Sequence, residues 1–303
     1  MNKSERNALP AFPLVVLIGA GVAVAGSQGG AAVGGIPVFA LCVGLAFVIQ
    51  WLAFVSAYLQ RNEGFCDLAG SLTYVTVAVV AVAASPDPDA RAFLLAVLVV
   101  IWAVRLGSYL GRRIRKAGKD DRFDEIKTSF PRFLIARTVQ GPWVTLTLAA
   151  ALAAITTTER EELGVAAYAG PAIWVVGIGI EATADYQKSR FRADPAASKG
   201  RFIHSGLWYW SRHPNYFGEI VLWVGVAVIA APVLQGWQWA TMISPVFVAF
   251  LLIRVSGIPM LEKKADQKWG GQEDYEAYKS RTSVLVPLPP GRRADARRAG
   301  EGG

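Results

Sequence analysis

The two histidines of this 303-residue chain, His204 and His213, fall in one segment, "FIHSGLWYWSRHPNYFGE" (202–219), with Arg212, Pro214, Asn215 and Glu219 beside them. Proline suits the first position of a helix, where its missing N–H costs nothing. The spacing therefore predicts His213 as the N-cap and a helix running from Pro214 into the apolar stretch 217–234. A helix start offers free backbone N–H groups and the positive end of the dipole, and Arg212 adds a cation just before the cap, a combination suited to a phosphate. Asn215 and Glu219 lie one turn apart on a face that Trp223 continues. The alternative is an interfacial helix start, with Trp208, Tyr209 and Trp210 as an aromatic belt and Arg212 snorkelling to headgroups. That alternative does not account for Glu219, because a carboxylate inside an apolar helix needs a partner or a function.

Two further groups carry charge into apolar surroundings. In "IEATADYQKSRFR" (180–192), Glu181, Asp185, Lys188 and Arg192 recur at intervals of four, three and four and share a helix face. Intrahelical ion pairs are the simple explanation for Lys188, less so for Glu181, which is embedded in "WVVGIGIEATA". In "IWAVRLGSYLGRR" (101–113), Arg105 interrupts an apolar run and Arg112 falls two turns further along the same face. A guanidinium at that depth usually faces a bundle interior and an anion.

The elements that must position these groups are membrane helices. With 53% hydrophobic and 18% charged residues, the chain is too apolar for an ordinary soluble domain. Spanning-length apolar segments are predicted at roughly 12–26, 37–59, 68–84, 92–110, 133–155, 166–184, 217–234 and 240–258, an all-α polytopic bundle of about seven or eight helices. The formal charge of +8 does not indicate nucleic acid, because the basic residues gather between the apolar runs and at the C-terminus, where anionic headgroups or an anionic cofactor would meet them. Loops 111–132 and 186–214 and the tail from Glu262 onward are basic and are predicted cytoplasmic, which puts the C-terminus inside. Lys3 and Arg6 before a short apolar run ending "VAVAGS" resemble a signal peptide; the segment is read here as a retained helix. "GSQGGAAVGG" (26–35) is an outer loop, and Cys42 and Cys66, with no metal-ligand spacing, are small hydrophobes. No metal site is predicted.

The series "WAVRLGSYLGRR…GKDDRF", "EATADYQKSRFR", "GLWYWSRHPNYFGE", "SGIPMLEKKA" and "YEAYKSRTSVLVPLPP" resembles the bacterial DUF1295 proteins of the steroid 5-alpha-reductase superfamily over about residues 60–290. That superfamily also contains sterol reductases and isoprenylcysteine carboxyl methyltransferases, and its reductases bind NADPH in a cytosol-facing cavity of the C-terminal helices. The resemblance implies that Asn215 and Glu219 contact the nicotinamide-ribose part. It implies that Arg105, Arg112, Arg122, Arg212 and His213 face the phosphates or adenine ribose, and that Asp185, Tyr216, Glu262, Tyr275, Tyr278 and Arg281 complete the cofactor site. It further implies a membrane-embedded reductase-like domain over 36–288; the sequence itself predicts an N-terminal helix (or signal-like segment) and loop before it (1–35) and a disordered basic tail after it (289–303). Many relatives carry "VDxxWGxG" after the second helix; here "CDLAGSLTY" keeps Asp67 but has Gly70, Ser71 and Thr73 instead of Trp and the glycines. Tyr74, Asp67 and Gln140 are the candidates for polarising a substrate carbonyl, a role for which a phenol is chemically suited.

Two enzymatic readings follow. In one, NADPH delivers hydride to an activated C=C of an apolar lipid or steroid-like enone entering from the bilayer. In the other, S-adenosylmethionine occupies the same cavity and a methyl group is transferred. The arginines favour the dinucleotide, which carries phosphates where S-adenosylmethionine carries a sulfonium. A transporter would be expected to show inverted repeats, and the sequence has none.

Overall fold

The computed structural model describes residues 11–60, 66–117 and 129–291. The helices are α1 (Ala11–Ser27), α2 (Val38–Gln60), α3 (Cys66–Ala84), α4 (Ala90–Ala117), α5 (Phe130–Thr156), α6 (Val165–Ala193), α7 (Pro195–Ser198), α8 (Leu207–Trp210), α9 (Pro214–Ala230), α10 (Ile243–Phe250), α11 (Ile258–Trp269) and α12 (Glu273–Arg281). A two-residue hairpin, β1 (Ala32–Val33) against β2 (Ile36–Pro37), turns through Gly34 and Gly35, both at positive φ, within the stretch expected as an outer loop. Among the described residues, six segments are long and apolar enough to cross a membrane: Val38–Leu59, Ala90–Arg112, Phe130–Thr156, Val165–Ala193, Pro214–Val233 and Gly236–Trp269. Phe12–Ser27 and Leu68–Ala84 are apolar but shorter. The eight expected segments are thus all helical, and the chain is an all-α integral membrane protein.

The chain divides into two compact units, Met1–Gly170 with Val226–Ser244, and Pro171–Gly225 with Pro245–Gly303. In the first, α5 is the central helix and packs against α1, α2, α3 and α4. Its second half carries Ala149 to Ala151 and Ala153 to Ala154, all buried, and such small residues let helices approach closely where lipid removes the hydrophobic drive. The same economy appears around Phe47, whose ring fills the space left by Gly19 and Gly141: a Cβ would stand 2.6 Å and 2.8 Å from the ring at the two positions. Asp89 caps α4 by accepting from Ala92 N (2.8 Å). Next to it Arg91, 1% exposed, donates to the carbonyl oxygens of Ile229 (3.0 Å), Glu161 (3.3 Å) and Glu162 (3.0 Å). This buried guanidinium satisfies the Ile229 carbonyl at the end of α9 and two carbonyls of the stretch before α6.

In the second unit, α6 and α9 cross backbone to backbone. A Cβ on Gly177 would lie 2.4 Å from Leu222 N, and one on Gly218 would lie 2.6 Å from both Glu181 N and Gly177 O. Glycine at both positions is what allows the contact. After Met242 the last long span continues through α10 into a π-helical turn, Leu251–Val255, and ends at Gly257, from which the charged helix α11 starts with Pro259 in its first turn. The chain then returns: Arg212 N donates to Ser283 O (2.8 Å), Ser211 Oγ to Leu285 O (2.8 Å) and Leu288 N to Trp210 O (3.2 Å). These bonds hold the segment 210–212 against the stretch after α12.

Candidate functional site

The start of α9 forms as the sequence predicts. Pro214 is its first residue, and His213 O accepts from Phe217 N at 3.2 Å, so His213 is the N-cap. The side chains of the cap and of the residue before it converge on Glu262 of α11: Arg212 Nη1 donates to Oε2 at 2.6 Å, and His213 Nε2 lies 2.8 Å from Oε1. The His213 ring stacks parallel on Tyr216, 5.7 Å between centroids at 9°. Burial holds the His213 imidazole below its ordinary range, against the pull of the Glu262 hydrogen bond and charge, and Lys188 and Arg212 add to the depression. The ring is therefore neutral near pH 7, with its proton on Nε2 facing the carboxylate. That leaves Nδ1 as an acceptor. Nδ1 of His213 and Nε of Arg212 are buried and have no hydrogen-bond partner among the described residues.

At the second residue of α9, Asn215 Nδ2 lies 3.4 Å from Asp185 Oδ1, linking α9 to α6. Asp185 and Glu181 are buried on α6 beside the Gly177–Gly218 crossing, and Glu219 follows Gly218 directly. The crossing thus fixes the height at which Asp185 and Asn215 meet.

Arg212, His213 and Glu262 all line a cavity of about 290 Å³. Its cationic lining residues are Lys188 and Arg192 of α6, Arg212, and Lys264 and Lys268 of α11; Glu262 is its carboxylate. Its wall is aromatic. Phe202 packs on Tyr278 (5.2 Å) and Tyr275 (5.3 Å), and Trp269 closes the cluster (6.0 Å from Phe202). The phenols are anchored, Tyr278 Oη donating to Trp208 O (2.7 Å) and Tyr275 Oη to Asp266 Oδ1 (2.9 Å). Burial raises both above the ordinary tyrosine range, the Asp266 hydrogen bond adding to the effect at Tyr275, so both remain donors.

The structure brings together Arg212, His213, Tyr216 and Glu262 as one cluster, and Asp185 with Asn215 as another. Tyr275 and Tyr278 line the cavity, whereas Arg281 lies over the Tyr209 ring at 6.0 Å, off the cavity lining. In the first unit, Tyr74 is buried edge-on against Trp102 (5.0 Å), and Gln140 Oε1 stands 3.9 Å from the place of a Cβ on Gly70. Asp67 lies in the first turn of α3, and Arg105 and Arg112 lie two turns apart on α4. Arg122 lies outside the described residues. The alternative of an aromatic belt does not fit Trp208, which is 3% exposed, its indole N–H donating to Ala184 O (3.0 Å) and Lys188 Nζ standing 4.3 Å over its ring. Tyr209 and Trp210 are the partly exposed members of that trio. Lys264, Lys268, Phe202 and Trp269 were not singled out by the sequence; the i,i+4 spacing of the two lysines, matching that of Lys188 and Arg192, was the available signal.

Two curated proteins are similar, both named 3-oxo-5-alpha-steroid 4-dehydrogenase 1: the bovine protein, 28% identical over 119 residues, and the rat protein, 29% identical over 119 residues. Each match covers 39% of this chain and 40% of the relative, so the chain spans about two fifths of the length of the curated relatives it matches. No solved structure matches the chain. The family model described as "Protein of unknown function (DUF1295)" matches residues 53–282, three quarters of the sequence, and the protein belongs to the DUF1295 family.

Proposed function

We propose that this protein is a membrane-embedded, NADPH-dependent reductase that saturates an activated C=C of an apolar lipid or steroid-like enone, with its basic loops and C-terminus on the cytoplasmic side. The observation that carries the reading is the cation-lined, aromatic-walled cavity against the Arg212–His213–Glu262 cluster. The residues fit the cofactor in kind. Arg212 Nε is a buried donor that suits a phosphate oxygen, and His213 Nδ1 is a buried acceptor that suits a ribose hydroxyl or an adenine amine. A sulfonium would meet five like charges, Lys188, Arg192, Arg212, Lys264 and Lys268, against the one carboxylate of Glu262, which disfavours the methyltransferase reading.

In this reading Asn215 and Glu219 orient the nicotinamide-ribose end, with Asp185 holding the Asn215 amide. Glu262 fixes Arg212 and His213, and Tyr216 supports the imidazole by stacking. Arg105, Arg112 and Arg122 supply further cations for phosphate, and Tyr275, Tyr278 and Arg281 shape the aromatic side. Tyr74, with Asp67 and Gln140, polarises the substrate carbonyl and delivers the proton to the carbon α to it. NADPH, when bound, supplies a hydride to the β carbon. Because the helices are apolar outside, substrate would enter from lipid rather than from water.

The test is purified protein in detergent with NADPH and a 3-oxo-4-ene steroid, followed by loss of NADPH absorbance and by mass analysis of the steroid. The reading predicts a product two hydrogens heavier, with Tyr74→Phe lowering kcat while leaving NADPH affinity unchanged. Methyl transfer from S-adenosylmethionine to a lipid acceptor, without NADPH oxidation across a panel of enones, would replace it with the alternative.

A further inference from the structure

We infer that the first unit carries an intramembrane site for a hydroxyl group of an apolar ligand, with Gln50 of α2 as the acceptor and the unfilled position beside Gly70 of α3 as the way in. Under the reductase reading, on which this rests, the ligand is the substrate. The enone then carries a hydroxyl besides its carbonyl, and Gln50 is the residue that selects it.

Three helices meet at one level here. α2 and α5 lie side by side: a Cβ on Gly141 would stand 2.8 Å from the Phe47 ring, Trp51 Nε1 donates to Thr138 Oγ1 at 3.1 Å, and Phe54 packs on Phe133 at 5.4 Å. Gln50 falls inside that contact, 0% exposed, and reaches α3, Nε2 donating to Thr73 Oγ1 at 2.8 Å. The Thr73 hydroxyl donates to Ala69 O at 2.6 Å, so its one hydrogen is spent and towards Gln50 it can only accept. This fixes the amide: its NH2 group faces Thr73, and Oε1 faces away. Oε1 is buried and has no hydrogen-bond partner among the described residues. An acceptor left so inside a membrane bundle is costly unless something supplies a donor. A buried water would need two to four polar partners, and the hydroxyls of Thr73 and Thr138 are engaged, the latter between Trp51 Nε1 and Leu134 O (2.8 Å).

α3 also leaves room on this side. Towards α4 it is tight, since a Cβ on Gly107 would stand 2.8 Å from Ser71 Cβ. At Gly70, which is half-buried, a Cβ would meet only Gln140 Oε1, at 3.9 Å. Residues three and four apart share a helix face, so the space beside Gly70, Thr73 with its Gln50, and Tyr74 lie within about one turn of α3. Gly70 and Thr73 are also two positions at which "CDLAGSLTY" departs from the pattern of many relatives, so the feature belongs to this chain rather than to the pattern. The chemistry of Oε1 selects the ligand group. A carbonyl or ether oxygen would meet it lone pair to lone pair, and an ammonium would have to shed its hydration in the bilayer, whereas a hydroxyl is the neutral donor that an apolar molecule brings. A site built to bond a hydroxyl discriminates strongly, because the analogue lacking it leaves the buried acceptor unpaired.

The experiment is displacement of tritium-labelled androst-4-en-3-one, a 3-oxo-4-ene steroid with no other polar group, from the full chain in zwitterionic nanodiscs without NADPH, with binding to empty discs subtracted. The competitors are its 6-, 11- and 17-hydroxy derivatives. The best of them should bind about ten- to a hundredfold more tightly than the parent, the scale of one buried acceptor satisfied or left unpaired. Gln50→Leu should abolish that preference while keeping the parent's affinity. Gln50→Glu, whose protonated acid retains an acceptor oxygen, should restore it, and Gly70→Leu should weaken every steroid; thermal unfolding without steroid accompanies each variant. Absence of any hydroxyl preference would overturn the proposal, and reduction of the parent steroid by NADPH would then leave the reductase reading standing. A hydroxyl preference set by Gln50 without NADPH oxidation would keep the site and sink that reading instead. A preference that survives Gln50→Leu, in a variant less stable than wild type, would make Gln50 a structural partner bridged by water to a group such as the buried Arg137, contrary to the proposal. Failure of every steroid to bind, or unchanged binding in Gly70→Leu, would overturn it as well.

Discussion

Replacing Gly218 by alanine should destabilise the second unit, whereas replacing Gly179, two residues beyond the facing Gly177 on α6, should not. A Cβ at Gly218 would stand 2.6 Å from Glu181 N and from Gly177 O, both backbone atoms that cannot rotate aside. Ordinary contact begins at 3.4 Å, so α6 and α9 would have to separate by about 0.8 Å, the difference between the two distances. Overpacking of this kind costs about 1–3 kcal/mol, and the helix-propensity gain of Gly→Ala returns about 0.5–1 kcal/mol, for a net loss of about 0.5–2 kcal/mol. At Gly179 a Cβ meets nothing within 4 Å, so only the gain remains and Gly179→Ala should stabilise by about 0.5–1 kcal/mol. Thermal unfolding of the two variants in the same detergent reads the opposite signs directly. NADPH affinity should fall for Gly218→Ala as well, because Asp185 and Asn215 meet beside that crossing. A Gly218→Ala protein that unfolds at or above the wild-type temperature, or a Gly179→Ala protein equally damaged, would refute the crossing as the device that positions the site.

Glu262→Gln keeps the shape but removes the charge that holds Arg212 and His213. Because Glu262 is about a fifth exposed, the loss should be nearer the lower end of the roughly 1.5–3 kcal/mol of a hydrogen bond to a charged group, measured by denaturation without cofactor. His213 makes stability pH-dependent: its folded-state pKa is lowered from 6.5, so the unfolded chain takes up the proton first. Stability is therefore full above about pH 6.5 and is lost as the pH falls toward the folded value; His213→Gln should flatten that slope in unfolding curves taken across the range. A cysteine at Ser198, after the basic end of α6, should resist an impermeant thiol reagent applied to intact cells and react after permeabilisation; labelling from outside would reverse the topology.

Much of the fold was legible because bilayer thickness fixes helix length: apolar runs of spanning length could only be helices, and all eight are. Pro214 and His213 were legible for a local reason, since helix-start chemistry is written in adjacent residues. The exit of α6 was less so. Its apolar run ends near residue 184, but the helix continues to Ala193 because Asp185, Lys188 and Arg192 keep its spacing without its hydrophobicity. Arg91 was missed, since beside Asp89 at a helix start it looks like a solvated loop charge, and only the tertiary structure brings the Ile229, Glu161 and Glu162 carbonyls to it. The burial of Trp208 was hidden for a related reason: interfacial and buried tryptophans share composition, and burial depends on where α6 and α12 lie. Lys264 and Lys268 read as the wet face of a charged helix, and their convergence with Lys188 and Arg192 is a contact between segments more than 70 residues apart.

The central claim is that the second unit binds NADPH, and the most direct measurement is equilibrium titration of the purified full chain in detergent, separately with NADPH and with S-adenosylmethionine. The account predicts saturable one-site binding of NADPH, weakened by Arg212→Ala and by Glu262→Gln, and no saturable binding of S-adenosylmethionine. Saturable binding of S-adenosylmethionine by a folded protein that ignores NADPH would contradict it.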